Sequence, residues 1–97
     1  MKEKIINNKF VDKLRQSMEI DEEEYLLLCD ELICLAEEWK DVEYIDKELV
    51  SYLYAIPLIV RNEFINLEKV CPDAVECNRL EDIWVELDAL VSNCFSD

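Results

Sequence analysis

The chain of 97 residues contains no glycine. Glycine supplies most of the positive φ angles that tight turns of types II, I′ and II′ require, so folds rich in β-hairpins are disfavoured. Leucine, glutamate and lysine are abundant and favour helices, while asparagine and aspartate can make the turns between them. The sequence therefore predicts an all-α fold, a compact bundle of four to five helices that forms a single helical domain over residues 1–97.

Apolar spacing and capping residues predict where the first helices lie. Residues 8–18 place apolar side chains at helical spacing, which predicts a short first helix. Asp21 and Glu24 precede an apolar run as in a capping box, where each side chain accepts a hydrogen bond from a free amide. The second helix is therefore expected over residues 22–39, ending at Glu38 or Trp39.

The third helix, with Asp46 as its expected N-cap, is predicted to be the buried centre of the bundle. Residues 49–60 are apolar nearly all round a helical wheel, and such a helix is normally surrounded by protein. Pro57 lacks a backbone N–H, so we expect either a kink at this residue or two abutting helices. Tyr52 and Tyr54 are expected in the core or at its edge.

The last third of the chain predicts a loop followed by an amphipathic helix. Residues 68–77 contain Pro72 and are expected to form a loop or a short turn. Asn78 and Glu81 repeat the capping signature at the start of the last helix, and Glu86 is expected on its polar side. The apolar stripe of this helix comprises Leu80, Ile83, Trp84, Leu87, Leu90, Val91, Cys94 and Phe95.

Cysteine usage and hydropathy bear on the compartment. The five cysteines include no Cys-x-x-Cys pair and histidine is absent, so neither a zinc site nor a disulfide scaffold is indicated, and the thiols are expected to be reduced. Residues 1–13 lack the apolar core of a signal peptide, and no stretch has the roughly 18 apolar residues of a membrane span. We therefore expect a cytoplasmic protein outside the membrane.

Catalytic residues and cofactors are not predicted. Histidine, the commonest general base, does not occur, and a phosphate-binding loop rich in glycine is impossible in this chain. The sequence neighbours of Cys29 are acidic and would raise rather than lower the pKa of its thiol, so Cys29 is expected to be a core residue. The sequence thus favours a protein that is not an enzyme and needs no metal ion.

Charge is the strongest functional signal. The net charge is −14, from 10 basic and 24 acidic residues, which disfavours binding to nucleic acid or to an anionic membrane. Residues 1–18 carry a net charge of +3, from five bases and two acids, whereas residues 19–48 carry −11, from thirteen acids and two bases. Such a concentration of carboxylates is typical of a surface that steers a basic protein partner.

The second helix and the connector after it are the predicted partner-binding site. Leu27 and Cys34 fall between two rows of carboxylates on the helical wheel, and an apolar centre with a charged rim is typical of an interface. The alternative is that the first helix or the C-terminal segment covers Leu27 and Cys34. The complete predicted site comprises Glu23, Leu27, Asp30, Glu31, Cys34, Glu37, Glu38, Trp39, Asp41, Glu43, Tyr44 and Asp46.

Two segments carry a family resemblance. FVDKLRQSMEIDEEEYLLLCDELICLAEEW, followed by LVSYLYAIPLIVRNEF, resembles the small acidic helical immunity proteins of bacterial toxin–immunity systems, of the colicin and contact-dependent growth inhibition kind. The resemblance covers residues 10–66, is general in character and transfers no individual functional residue. It implies a cytosolic protein, monomeric when free, that binds a cognate toxin domain 1:1. The toxin is often a basic nuclease, and its active site or substrate groove is blocked.

Three other hypotheses remain open at this point. A phage- or plasmid-encoded inhibitor that mimics nucleic-acid charge would present the same surface, and only gene neighbourhood would separate it from an immunity protein. A helical module could instead self-associate through Leu27 and Cys34, which sedimentation would reveal. An enzyme is the remaining hypothesis, to be tested by a substrate screen with a Cys29→Ala control.

Overall fold

The computed structural model describes residues 2–42 and 44–95. The described chain is helical and contains no strand, and it forms a compact globule with a radius of gyration of 13.7 Å. Its elements in order are α1 (Lys2–Ile6), α2 (Phe10–Ser17), α3 (Glu22–Glu38), a 3-10 turn (Trp39–Asp41), α4 (Lys47–Val70) and α5 (Val75–Cys94). The all-α prediction is confirmed for the described residues. They form five helices, of which α1 is the shortest.

Two of the predicted caps are present. Oδ1 of Asp21 accepts from the Glu24 amide at 3.1 Å, and Oδ1 of Asp46 accepts from the Leu49 amide at 3.1 Å. The prediction that Glu24 in turn caps a free amide at the start of α3 is wrong. Its carboxylate instead accepts a hydrogen bond from the Lys9 amide at 3.2 Å. That bond ties the start of α3 to the segment before α2.

The beginning of the chain holds a helix that the sequence did not predict. α1 covers Lys2–Ile6 and contributes the fully buried side chain of Ile5 to the core. Asn8, expected within the first helix, precedes α2, and its side chain accepts from the Phe10 amide and donates to the Glu24 carbonyl, both at 2.9 Å. Met18 then ends α2 with φ 54°, a left-handed conformation for which glycine is the usual residue.

α4 differs from its prediction in burial. It runs without interruption through Pro57, so the expectation of two abutting helices is wrong, while a kink stays a prediction. Tyr54 is 61% exposed and Leu58 is also exposed, so the helix is not surrounded by protein on all sides. Tyr52 is half-buried against the core as expected, whereas Tyr54 lies outside it and stacks on Phe95.

The boundary between α4 and α5 also differs. The predicted loop or turn is present around Pro72 but is shorter than residues 68–77, because α4 continues to Val70 and α5 begins at Val75. Asn78 is consequently a residue inside α5 rather than its cap, and Ala74 occupies the N-cap position with no side-chain hydrogen bond. The connection of four residues makes α4 and α5 an antiparallel pair, and they share the most extensive helix contact in the described chain.

The core combines residues from all five helices. α5 contributes the predicted stripe and packs against both α3 and α4. The buried hydrophobic residues of α3, α4 and α5 are Tyr25, Leu28, Cys29, Leu32, Leu35, Leu49, Leu53, Ile56, Val60, Cys77, Leu80, Ile83, Leu87, Val91 and Cys94. Of the helices described, none is long and apolar enough to cross a membrane.

Candidate protein-interaction surface

α3 divides sharply into a buried side and an exposed side. Its buried side packs against α5 and against the two N-terminal helices. On its exposed side, Glu23, Asp30 and Glu37 follow one another at intervals of seven residues. Seven residues advance an α-helix by about 10.5 Å and return within about 20° of the starting direction. The three carboxylates therefore form a row nearly parallel to the helix axis.

Apolar side chains flank this row on both sides. Leu27 is 55% exposed and Cys34 is also exposed, so the alternative in which other helices cover them is wrong. Leu26 and Ile33 lie on the other side of the row and are 61% and 51% exposed. We name the exposed surface of α3 formed by Glu23, Leu26, Leu27, Asp30, Ile33, Cys34 and Glu37 the acidic–apolar face.

Sequence reasoning missed Leu26 and Ile33. Their spacing of seven residues was a usable signal, because it matches the spacing of Leu27 and Cys34. Ile33 also borders a groove of about 300 Å³ between α3 and α5, lined in part by Leu32, Ala36 and Leu90. The apolar part of the surface is therefore larger than predicted and continues into a concave feature.

Three other predicted residues, in the second half of α3 and at the start of the 3-10 turn, have different surroundings. Glu31 is only partly exposed, and its carboxylate lies 3.9 Å from Nζ of Lys4 in α1. Trp39 is half-buried, and its ring centre lies 5.8 Å from that of Phe95. Trp39 therefore packs mainly against the core. Glu38 is exposed at the last position of α3.

The connector between α3 and α4 contains both exposed side chains and a side chain that is already used in capping. Asp41 is exposed and Tyr44 is 89% exposed, as an interface residue would be. Asp46 is engaged in capping α4, so its carboxylate has a structural role already. Glu43, also predicted as a site residue, lies outside the described residues.

Polar contacts link α3 to α5 on the side of α3 away from the acidic–apolar face. The Arg79 guanidinium donates to both carboxylate oxygens of Glu22, at 2.8 and 2.6 Å, and lies 5.3 Å from the ring centre of Tyr25. The Tyr25 hydroxyl donates to Glu86 at 2.7 Å, and the Cys29 thiol donates to the same oxygen at 3.4 Å. Glu86, expected on the solvent side of α5, thus turns its carboxylate toward α3.

These contacts set the protonation of the groups involved. Hydrogen bonds from Arg79 lower the pKa of Glu22 and keep its carboxyl ionised. Desolvation, with the hydrogen bond to Glu86, raises the pKa of Tyr25 far above its ordinary value. Desolvation also raises the pKa of the Cys29 thiol to about 11, so this buried thiol stays protonated near neutral pH and is a poor nucleophile.

The remaining side-chain chemistry is sparse. All five cysteines are free, and Cys34 and Cys71 are exposed. Within residues 2–42 and 44–95, no group of histidine, cysteine, aspartate or glutamate side chains could hold a metal ion. A second groove of about 510 Å³ lies between α4 and α5, where the Arg61 guanidinium stacks 5.8 Å above the centre of the Trp84 ring. Sequence reasoning did not identify this groove.

Comparison of the chain with protein-family models, with curated proteins and with solved structures found no match. The residues and geometry described above are therefore the basis for any functional proposal.

Proposed function

We propose that this chain is an immunity protein that binds a cognate bacterial toxin domain, a basic nuclease, and covers its active site or substrate groove. The observation that carries the proposal is the acidic–apolar face. On one helix, three carboxylates in a row are flanked by four exposed apolar side chains, Leu26, Leu27, Ile33 and Cys34.

Solubility alone does not account for this combination. Charged residues improve solubility, but large aliphatic side chains beside them reduce it. A protein interface uses both, since burial of the apolar centre contributes affinity while the charged rim guides approach and orientation. The face therefore fits a binding role better than a purely solvent-exposed role.

The charge distribution defines the kind of partner. Residues 19–48 carry a net charge of −11, and α3 lies inside this segment. A basic nuclease presents a positive groove to its phosphate substrate, and the same groove attracts a carboxylate-rich protein. We propose a 1:1 complex formed in the cytoplasm by a chain that is monomeric when free, contains no cofactor and performs no catalysis.

The test begins with the partner itself. The tagged chain is used at low ionic strength to retain proteins from its own cytosol, and the retained toxin is identified and purified. Its nuclease activity is then measured against increasing amounts of the chain. The proposal expects complete inhibition at a 1:1 ratio; retention of no basic protein, or retention of one whose activity is unchanged, would contradict it.

Two matched variants locate the binding surface. The first reverses the charge of the acidic row through Glu23→Lys, Asp30→Lys and Glu37→Lys. The control reverses three exposed acids near the other helix connection, through Glu68→Lys, Asp73→Lys and Glu76→Lys, and so changes the net charge equally. At low ionic strength we expect the first variant to associate about tenfold or more slowly than the control variant. Equal association rates would place the interface elsewhere.

A further inference from the structure

Side chains of the acidic–apolar face recur every seven residues, and this spacing restricts the shape of a partner that can bind there. The apolar pairs Leu26–Ile33 and Leu27–Cys34 run alongside the acidic row with the same interval of seven residues. Each of these columns is nearly parallel to the axis of α3. A partner segment that lies along α3 would thus meet apolar and acidic side chains at a constant period of about 10.5 Å.

A helix matches this period and an extended strand does not. One face of a strand repeats about every 6.7 Å, so side chains of a strand fall out of step with the columns within one repeat. A helix laid along α3 returns the same face every seven residues and stays in register over the 17 residues of α3.

The groove beside Ile33 provides a place for an apolar anchor. It lies between α3 and α5, and Leu32, Ala36 and Leu90 form apolar parts of its lining. Nζ of Lys40 contacts both carboxylate oxygens of Glu37 at 3.2 Å at the end of α3. Lys40 also lines this groove and partly neutralises Glu37, so a lysine or arginine of the partner would meet Asp30 and Glu23. An aliphatic side chain next to it on the partner would fill the concave apolar site.

We infer that the partner binds this face with a basic amphipathic helix that carries arginine or lysine every seven residues, flanked by aliphatic side chains. This inference rests on the proposed function and specifies the segment of the partner that binds. Charge complementarity selects this occupant over a second copy of the chain, because pairing two α3 helices would bring the rows of Glu23, Asp30 and Glu37 close to each other.

The test uses two synthetic peptides of about 21 residues, or three heptads. The patterned peptide carries one arginine per heptad with leucines on either side, and alanine and glutamine elsewhere. The control peptide has the same composition, with the arginines and leucines redistributed around the helix. Binding of each labelled peptide to the full chain is measured by fluorescence anisotropy at low and at physiological ionic strength.

We expect the patterned peptide to bind about tenfold more tightly than the control peptide. Ile33→Ser, which alters an exposed side chain, should reduce the affinity for the patterned peptide about tenfold and leave that for the control peptide unchanged. Tyr54→Ser alters an exposed side chain of α4 and should change neither affinity.

Equal binding of the two peptides would overturn the inference but leave a basic toxin as a partner, since charge alone would then explain binding. Failure of both peptides to bind at low ionic strength would also overturn it. The toxin inhibition experiment decides the proposed function separately, because it uses the intact toxin and makes no assumption about the binding segment.

Discussion

The hydroxyl of Tyr25 donates a 2.7 Å hydrogen bond to the carboxylate of Glu86 and thereby joins the buried side of α3 to α5. A carboxylate is a strong acceptor, but Glu86 is exposed to solvent, which lets water replace part of the bond. This contact adds to the packing of the buried α3 side chains against α5, and the acidic–apolar face lies on the opposite side of the helix.

Removal of this hydroxyl should lower stability. We expect Tyr25→Phe to reduce the free energy of unfolding by about 1 kcal/mol, because the ring stays buried while the hydrogen bond is lost. Urea denaturation measures the change. Tyr44→Phe removes a hydroxyl from a residue that is 89% exposed and is the matched control. Equal effects of the two substitutions would show that the bond to Glu86 contributes nothing.

Neighbouring leucines of α3 should respond very differently to truncation. Leu28 is buried in the core, whereas Leu27 is 55% exposed on the acidic–apolar face. We expect Leu28→Ala to cost about 2–5 kcal/mol of stability and Leu27→Ala less than about 0.5 kcal/mol. Thermal and urea denaturation measure both. A large cost for Leu27→Ala would mean that this side chain is covered after all.

The two ends of α3 should respond oppositely to the same charge reversal. Acids near a helix N-terminus are favourable and acids at its C-terminus are unfavourable, because of the helix dipole. α3 has three acids in its first turn and no basic residue in its last turn. We therefore expect Glu38→Lys to stabilise the fold by about 0.5 kcal/mol and Glu23→Lys to destabilise it by a similar amount. Urea denaturation at low ionic strength measures both, and equal signs would contradict the prediction.

Thiol reactivity should follow burial and protonation. Burial of Cys29 and its pKa of about 11 keep this thiol unreactive near neutral pH. We expect iodoacetamide to modify Cys34 and Cys71 in the native protein and to reach Cys29 only after denaturation. Mass spectrometry of peptides identifies the modified residues. Modification of native Cys29 at the rate of Cys34 would contradict the structure.

Stability should depend on pH through the contact between Glu22 and Arg79. Because Arg79 lowers the pKa of Glu22 below its ordinary value of 4.5, the stabilisation is complete above about pH 4.5 and is lost as the pH falls through the folded-state pKa. We expect urea denaturation to show that the free energy of unfolding falls more steeply on acidification for the wild-type chain than for Arg79→Met. Lys69→Met removes one exposed positive charge elsewhere and should retain the wild-type slope.

Local signals predicted much of this fold. The span of α3, the caps at Asp21 and Asp46 and the apolar stripe of α5 depend on residues a few positions apart, and the structure contains all of them. Capping residues and apolar spacing act within a single helix. Tertiary packing seldom changes features of this kind.

Features that depend on distant neighbours were not predictable. Tyr54 and Trp39 are both aromatic and both pack against Phe95, which is distant in sequence, yet Tyr54 is exposed and Trp39 is half-buried. α1 has only five residues, too few for a periodic pattern, and packing of Ile5 in the core supports it. The spacing of Leu26 and Ile33 places them on one side of the helix, but their exposure follows from where α5 contacts α3.

The acidic–apolar face and the core are built from opposite sides of one helix and share no residue. Substitutions on the face can therefore accumulate at a small folding penalty, no more than about 0.5 kcal/mol each, while substitutions on the other side are constrained by packing. An ancestral chain of this design can acquire a new binding specificity through successive changes along α3 and still fold at every intermediate step.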